Sequence, residues 1–143
     1  MAQATEMGRI TTWLELANNS DLSLAEAGML APEKVRRARV AGTVDTGATR
    51  LVLPESAVQA LGLPPSGETT VRYADHRSAT RPIVDNVRLE LEGRSSVFKA
   101  IVEPARTEAL IGAIVLEDLD LIVDCTKQKL VPRDPSGIIT EVE

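Results

Sequence analysis

Asp45, Thr46 and Gly47 are the residues best placed to do chemistry. An apolar, β-prone run, Ala41-Gly42-Thr43-Val44, delivers one carboxylate into a tight turn at a glycine, and Ala48-Thr49 follows. A carboxylate held at such a turn can take or give a proton. The glycine lets the backbone turn closely and leaves its amide available to hold the carboxylate. Other aspartates lack this setting. Asp75 precedes His76, Asp118 precedes Leu119 and Asp124 precedes Cys125, with no Thr/Ser-Gly after any of them. Cys125 and His76 would offer a second route to nucleophilic chemistry, but neither stands in a recognisable cysteine-nucleophile context. Asp-Thr-Gly also occurs as an ordinary strand-ending turn, because Asp and Gly both favour turns.

The elements that must position this turn are read from apolar periodicity. Ile10 to Leu16 alternates as a strand, and Asn18-Asn19-Ser20-Asp21 is a turn cluster. Leu22 to Leu30 reads as a loop with at most one helical turn: Ser23 and Glu26 make a capping-box pattern, but Gly28 shortens any helix. Pro32 marks a break, and Val35 to Val44 is the strand entering Asp45. After Leu51-Val52-Leu53, Pro54 suits a first helical position, and Gly62 ends a helix whose Val58 and Leu61 share one face. Glu68–Tyr73 and Ser78–Ile83 flank Ala74-Asp75-His76-Arg77 as a hairpin. Further strands are expected over Val87–Leu91, Ser96–Glu103 and Ala109–Ile111, then a helix over Ala113–Leu119. Leu121–Asp124 and Lys129–Val131 form a closing hairpin. Many short strands with two short helices predict a mostly-β barrel or sandwich.

The chain of 143 residues, 43% hydrophobic, is the size of one domain and can bury a modest core without staples. One domain over residues 1–143 is expected, with flexible ends at 1–8 and 133–143. Trp13, Tyr73 and Phe98 are the only aromatics, so Val, Leu, Ile and Ala must build the core. A net charge of −5 argues against a nucleic-acid partner. Lys34, Arg36, Arg37 and Arg39 form a local basic cluster that reads as a solvated edge strand. Cys125 is the single cysteine, which excludes an internal disulfide; its place after an apolar strand reads as a structural thiol. There is no secretory signal pattern and no apolar run near the ~18 residues of a membrane span. A cytoplasmic protein with no membrane partner is expected.

Two motifs together, Asp45-Thr46-Gly47 after an apolar strand and Ala109-Leu110-Ile111-Gly112 before a short helix, resemble the retropepsin-like aspartic proteases. The resemblance covers roughly residues 9 to 132 and is similar to bacterial members. It implies a closed β-barrel, one half of an acid protease, that works as a two-fold homodimer without metal or cofactor. In that family two carboxylates share a proton and activate water against a peptide bond. This chain has one Asp-Thr-Gly, so the resemblance implies that Asp45 meets its own copy across a dimer axis. The implied activity is aspartic endopeptidase, with a peptide or protein substrate.

The resemblance also assigns parts to the other residues. Thr46 would bond across the axis, Ala48 would leave room beside the substrate, and Thr49 would support the turn. Leu110, Ile111 and Gly112 would pack against the Asp45 loop. Tyr73, Ala74, Asp75 and His76 would form the tip of a substrate-covering flap, with Tyr73 and His76 touching substrate. The chain departs from the pattern at His76, where bacterial relatives carry glycine, at Cys125, where proline is expected, and in its long N-terminal segment. That segment either adds strands at the dimer interface or shields the cleft. The unusual flap tip motivates a second reading, a homodimer that binds peptides as a scaffold without efficient turnover.

Overall fold

A computed structural model describes residues 9–143 and the backbone of residues 3–5. Strand β1 (Gln3–Thr5) pairs with β2 (Arg9–Asn18), which buries Ile10, Thr12, Leu14 and Leu16 and turns Trp13 and Glu15 outward. This two-residue period is what a half-buried strand requires. Beyond β1, the same edge of β2 pairs with β6 (Ser78–Leu91), while its other edge pairs with β3 (Arg37–Val44). Next come β8 (Ala109–Ile111), parallel to β3, then β4 (Leu51–Pro54) and β7 (Arg94–Glu103). β7 pairs with β6 and closes a ring of six strands. Closure pairs every strand of the ring on both edges. Outside the ring, β5 (Pro65–Arg72) extends β6 as a hairpin, and β9 (Leu121–Asp124) pairs with β10 (Lys129–Pro132). Leu14, Leu51, Leu53, Leu89, Leu91 and Ile111 fill the barrel. Phe98 is the aromatic of the core, and Trp13 stays 47% exposed under the guanidinium of Arg39.

Three short helices, α1 (Asn19–Glu26), α2 (Glu55–Leu61) and α3 (Ala113–Leu119), pack on this frame. Among the described residues no helix is long and apolar enough to cross a membrane. α1 corrects the loop expected over Leu22–Leu30 and the turn expected at Asn18–Asp21. Asn18 is its N-cap: its side-chain oxygen accepts from the Asp21 amide at 3.0 Å, and its Nδ2 donates to the Leu61 carbonyl at 2.8 Å. Asp21, 6% exposed, then receives the Arg36 backbone amide, Nε and Nη2 at 3.0, 2.8 and 3.0 Å. These bonds hold its carboxyl down at about 2, the Arg36 side chain first and its amide second. Gly62, at φ 67°, completes the corner, since a Cβ there would lie 2.0 Å from the Arg36 guanidinium.

Other expectations change as well. β3 is an interior strand of the barrel, so the basic cluster is no edge; Arg37 and Arg39 are exposed on its outer face. The strands expected at 78–83 and 87–91 are one strand, β6, carried through an irregularity between Val84 and Val87 at Asn86, φ 64°. Pro54 ends β4 and caps α2 from outside, so that helix begins at Glu55. Cys125 is exposed in the turn after β9 and is no core thiol. The polar tail is bonded to the barrel as far as Ile139: Asp120 accepts from Arg133 Nε at 2.6 Å and from the Ile139 amide at 3.1 Å. Arg94 donates to the carbonyls of Leu119, Asp120 and Asp134. The expected loose start at residues 1–8 lies outside the described residues, apart from the short strand β1.

Candidate active site

Asp45 stands immediately after the end of β3 and is exposed together with Thr46, Gly47 and Thr49. Its amide donates to the Ile111 carbonyl at 3.0 Å, continuing the β3–β8 pairing by one step. Its carbonyl accepts from the Ala48 amide at 3.1 Å, closing the turn. Within that turn the Gly47 amide donates to Asp45 Oδ1 at 3.0 Å. A Cβ on Gly47 would lie 3.2 Å from the same oxygen, so glycine keeps the amide close to the carboxylate. Gly47 is not in the left-handed region; its value here is space.

The second motif clamps the loop from behind. The Ala113 and Ile114 amides donate to the carbonyls of Ala48 and Thr49 at 2.8 and 2.9 Å. These amides open α3 and would otherwise lack helical partners. Thr49 thus meets the clamp through its backbone carbonyl. Ile111 is fully buried and Leu110 half-buried. A Cβ on Gly112 would lie 2.3 Å from the Arg50 carbonyl oxygen and 2.8 Å from the Arg50 nitrogen, both backbone atoms. Only glycine permits this approach, although its φ of −84° is open to any residue.

The β5–β6 hairpin carries the other candidates. Tyr73 accepts the His76 amide at 2.9 Å on its carbonyl and donates its own amide to Arg77 at 2.8 Å. His76 takes φ 70°, a left-handed position at which His is better tolerated than most side chains. Asp75 is folded back on Arg77, through its amide at 3.1 Å and its Nε at 2.6 Å. Those bonds lower the Asp75 carboxyl, the Arg77 side chain first. Ala74, Asp75 and His76 are exposed, but Tyr73 is half-buried, and its hydroxyl donates to Glu103 at 2.5 Å. Glu103, 7% exposed at the end of β7, also accepts Arg81 Nε at 2.8 Å. Bonding to that carboxylate, then burial, raises the Tyr73 hydroxyl above its ordinary value, so it stays a donor across ordinary pH. No sequence signal marks Glu103, a carboxylate at the end of an apolar strand. Thr43, on β3, gives its hydroxyl to Glu108 Oε1 at 3.3 Å, a contact equally unmarked.

A family profile described as Aspartyl protease matches residues 31–115. The chain belongs to the aspartyl protease family. The matched span runs from the entry to β3 into α3 and so contains Asp45, the hairpin and the Gly112 clamp. The fold agrees. A retropepsin-like aspartic protease from Rickettsia conorii is 18% identical with a TM-score of 0.57, over 90% of this chain and 85% of that one. The EIAV protease complexed with the inhibitor HBY-793 is 16% identical with a TM-score of 0.58, over 82% and 93%. The chain also overlaps 10% of a foamy viral protease-reverse transcriptase in complex with an RNA/DNA hybrid, at 18% identity, 55% coverage and a TM-score of 0.46. No curated protein matches the chain. This member of the family is thus a closed six-stranded barrel with three short helices and the retropepsin-like fold.

Proposed function

We propose that the protein is an aspartic endopeptidase whose working unit is a two-fold homodimer. The observation that carries this reading is the Asp45-Thr46-Gly47 turn: exposed, held by Gly47 and clamped from behind by Gly112 and the start of α3. One chain supplies one such carboxylate, and an isologous dimer supplies the second. With Asp45 beside the partner's Asp45, repulsion between like charges leaves one proton shared by the pair. Aspartic proteases are the standard example of that arrangement. The ionised carboxylate removes a proton from water, whose oxygen bonds to the peptide carbonyl carbon. The protonated carboxyl gives its proton to the carbonyl oxygen. On collapse the C–N bond breaks: the nitrogen leaves with the proton of the protonated carboxyl, and one of the two hydroxyls returns its proton to the ionised carboxylate as its C=O re-forms, giving a carboxylic acid and leaving one proton on the dyad.

The remaining roles follow from position. Thr46, exposed beside Asp45, would bond across the axis, and Ala48 leaves room for substrate. Leu110, Ile111 and Gly112 hold the loop rigid. The Tyr73–His76 tip covers an extended peptide that pairs like an added strand. Tyr73 anchors this flap to Glu103, leaving His76 as the tip residue toward substrate.

The test compares purified protein with Asp45→Asn on a complex peptide mixture from pH 4 to 7, with new termini mapped by mass spectrometry. New termini from the unaltered protein alone are expected, together with a dimer in sedimentation equilibrium. Equal cleavage by the variant would refute the assignment of Asp45. Peptide capture without cleavage by either protein would instead support a scaffold.

A further inference from the structure

We propose that Glu108 makes the cleft beside Asp45 selective for a lysine or arginine side chain flanking the cleaved bond. The inference rests on the proteolytic reading and names its substrate class. Gly42 faces the barrel core, since a Cβ there would meet Ile111 and Leu14 at 3.2 to 3.3 Å. Strand alternation then sends Thr43 and Asp45 to the opposite face of β3. On the neighbouring β8, Ala109 and Ile111 are fully buried, so Leu110 and the preceding Glu108 take that same opposite face. The bond from Thr43 Oγ1 to Glu108 Oε1, 3.3 Å, joins the two strands there. Glu108 thus meets β3 two residues before Asp45, a step of about 7 Å along a strand.

The chemistry at this spot is acidic and unsatisfied by a cation. Glu108 is half-buried, and its Thr43 partner is neutral. Among the described residues no ion pair to Glu108 forms, and Arg106 turns its Nε to the Glu108 backbone carbonyl at 2.9 Å. An ionised carboxylate has about four acceptor sites, and one hydroxyl fills one of them. A long cationic side chain of a substrate bound at Asp45 would fill the others and neutralise the charge. In a two-fold dimer each subunit contributes one such carboxylate, so the preference can act on either side of the bond.

The experiment profiles cleavage sites in a peptide library for the full chain and its Glu108→Gln variant, then measures kcat/KM on a matched Lys and Leu peptide pair. Lys or Arg should be enriched beside the cleaved bond with the unaltered protein. Glu108→Gln should lower the Lys-to-Leu ratio of kcat/KM about tenfold or more, the scale of one charge-assisted hydrogen bond. Binding of the two peptides to Asp45→Asn protein, by fluorescence anisotropy, decides the matter independently of turnover. Tighter binding of the Lys peptide, lost on adding Glu108→Gln, supports the proposal; equal affinity, or no binding, overturns it. Cleavage without a basic preference overturns the subsite alone. Lys-selective binding by a protein that never cleaves overturns the proteolytic reading alone.

Discussion

An aspartate lies against each end of β3, Asp21 of α1 at its start and Asp45 just after its end, and the two are treated in opposite ways. At its start, Asp21 is buried and accepts three hydrogen bonds from Arg36. At its end, Asp45 is exposed and held by an amide of its own turn. The first carboxylate is saturated by its own chain, so its charge ties α1 to β3 and has little left to offer a ligand. The second keeps acceptor capacity and faces outward, while the rigidity around it comes from backbone bonds and from Gly112. The contrast separates a carboxylate that stabilises from one that can react.

Removing each carboxylate should break the contrast in opposite directions. Asp45→Asn is expected to lower kcat for peptide hydrolysis by roughly 10³-fold or more, while stability in urea shifts by less than about 0.5 kcal/mol, as for exposed positions. A stable variant that keeps its activity would place the chemistry elsewhere. Gly112→Ala tests the clamp. Its Cβ has no room against the Arg50 backbone, so a loss of about 1–3 kcal/mol is expected, with reduced turnover because the Asp45 loop must move. Urea unfolding and steady-state kinetics on the same preparation would read both.

Asp21→Asn sharpens the comparison through pH. Asp21 has its carboxyl lowered from 3.8 to about 2 in the folded chain. Its stabilising contribution is therefore present above 3.8 and is lost as pH falls toward about 2. The variant should unfold at lower urea than the unaltered protein above pH 4, and the gap should close toward pH 2. Asp75, Asp85, Asp120 and Asp134 are lowered too, so the variant keeps an acid limb of its own. Activity per folded molecule should not change. The smallest effect is expected for Tyr73→Phe. Losing the hydroxyl bond to Glu103 should change KM by roughly three- to tenfold, the scale of one hydrogen bond, with kcat little altered. A large fall in kcat would instead give Tyr73 a direct part in the chemistry.

By itself the sequence determined what depends on near neighbours. The Asp45-Thr46-Gly47 turn, the alternation of β2, the β5–β6 hairpin and the strand-to-helix step at Gly112 are set by turn chemistry and local periodicity. Each is legible within about ten residues of chain. Tertiary structure decided the rest. α1 was hidden because its cap, Asn18, looks like a turn residue until Leu61 and Arg36 arrive to satisfy it and its helix. β3 looked like a charged edge until β8 came in from the other end of the chain to cover it. Tyr73 with Glu103, and Thr43 with Glu108, are paired only because the barrel closes. Such contacts join residues far apart in sequence, and no local pattern records which carboxylate a distant hydroxyl will meet.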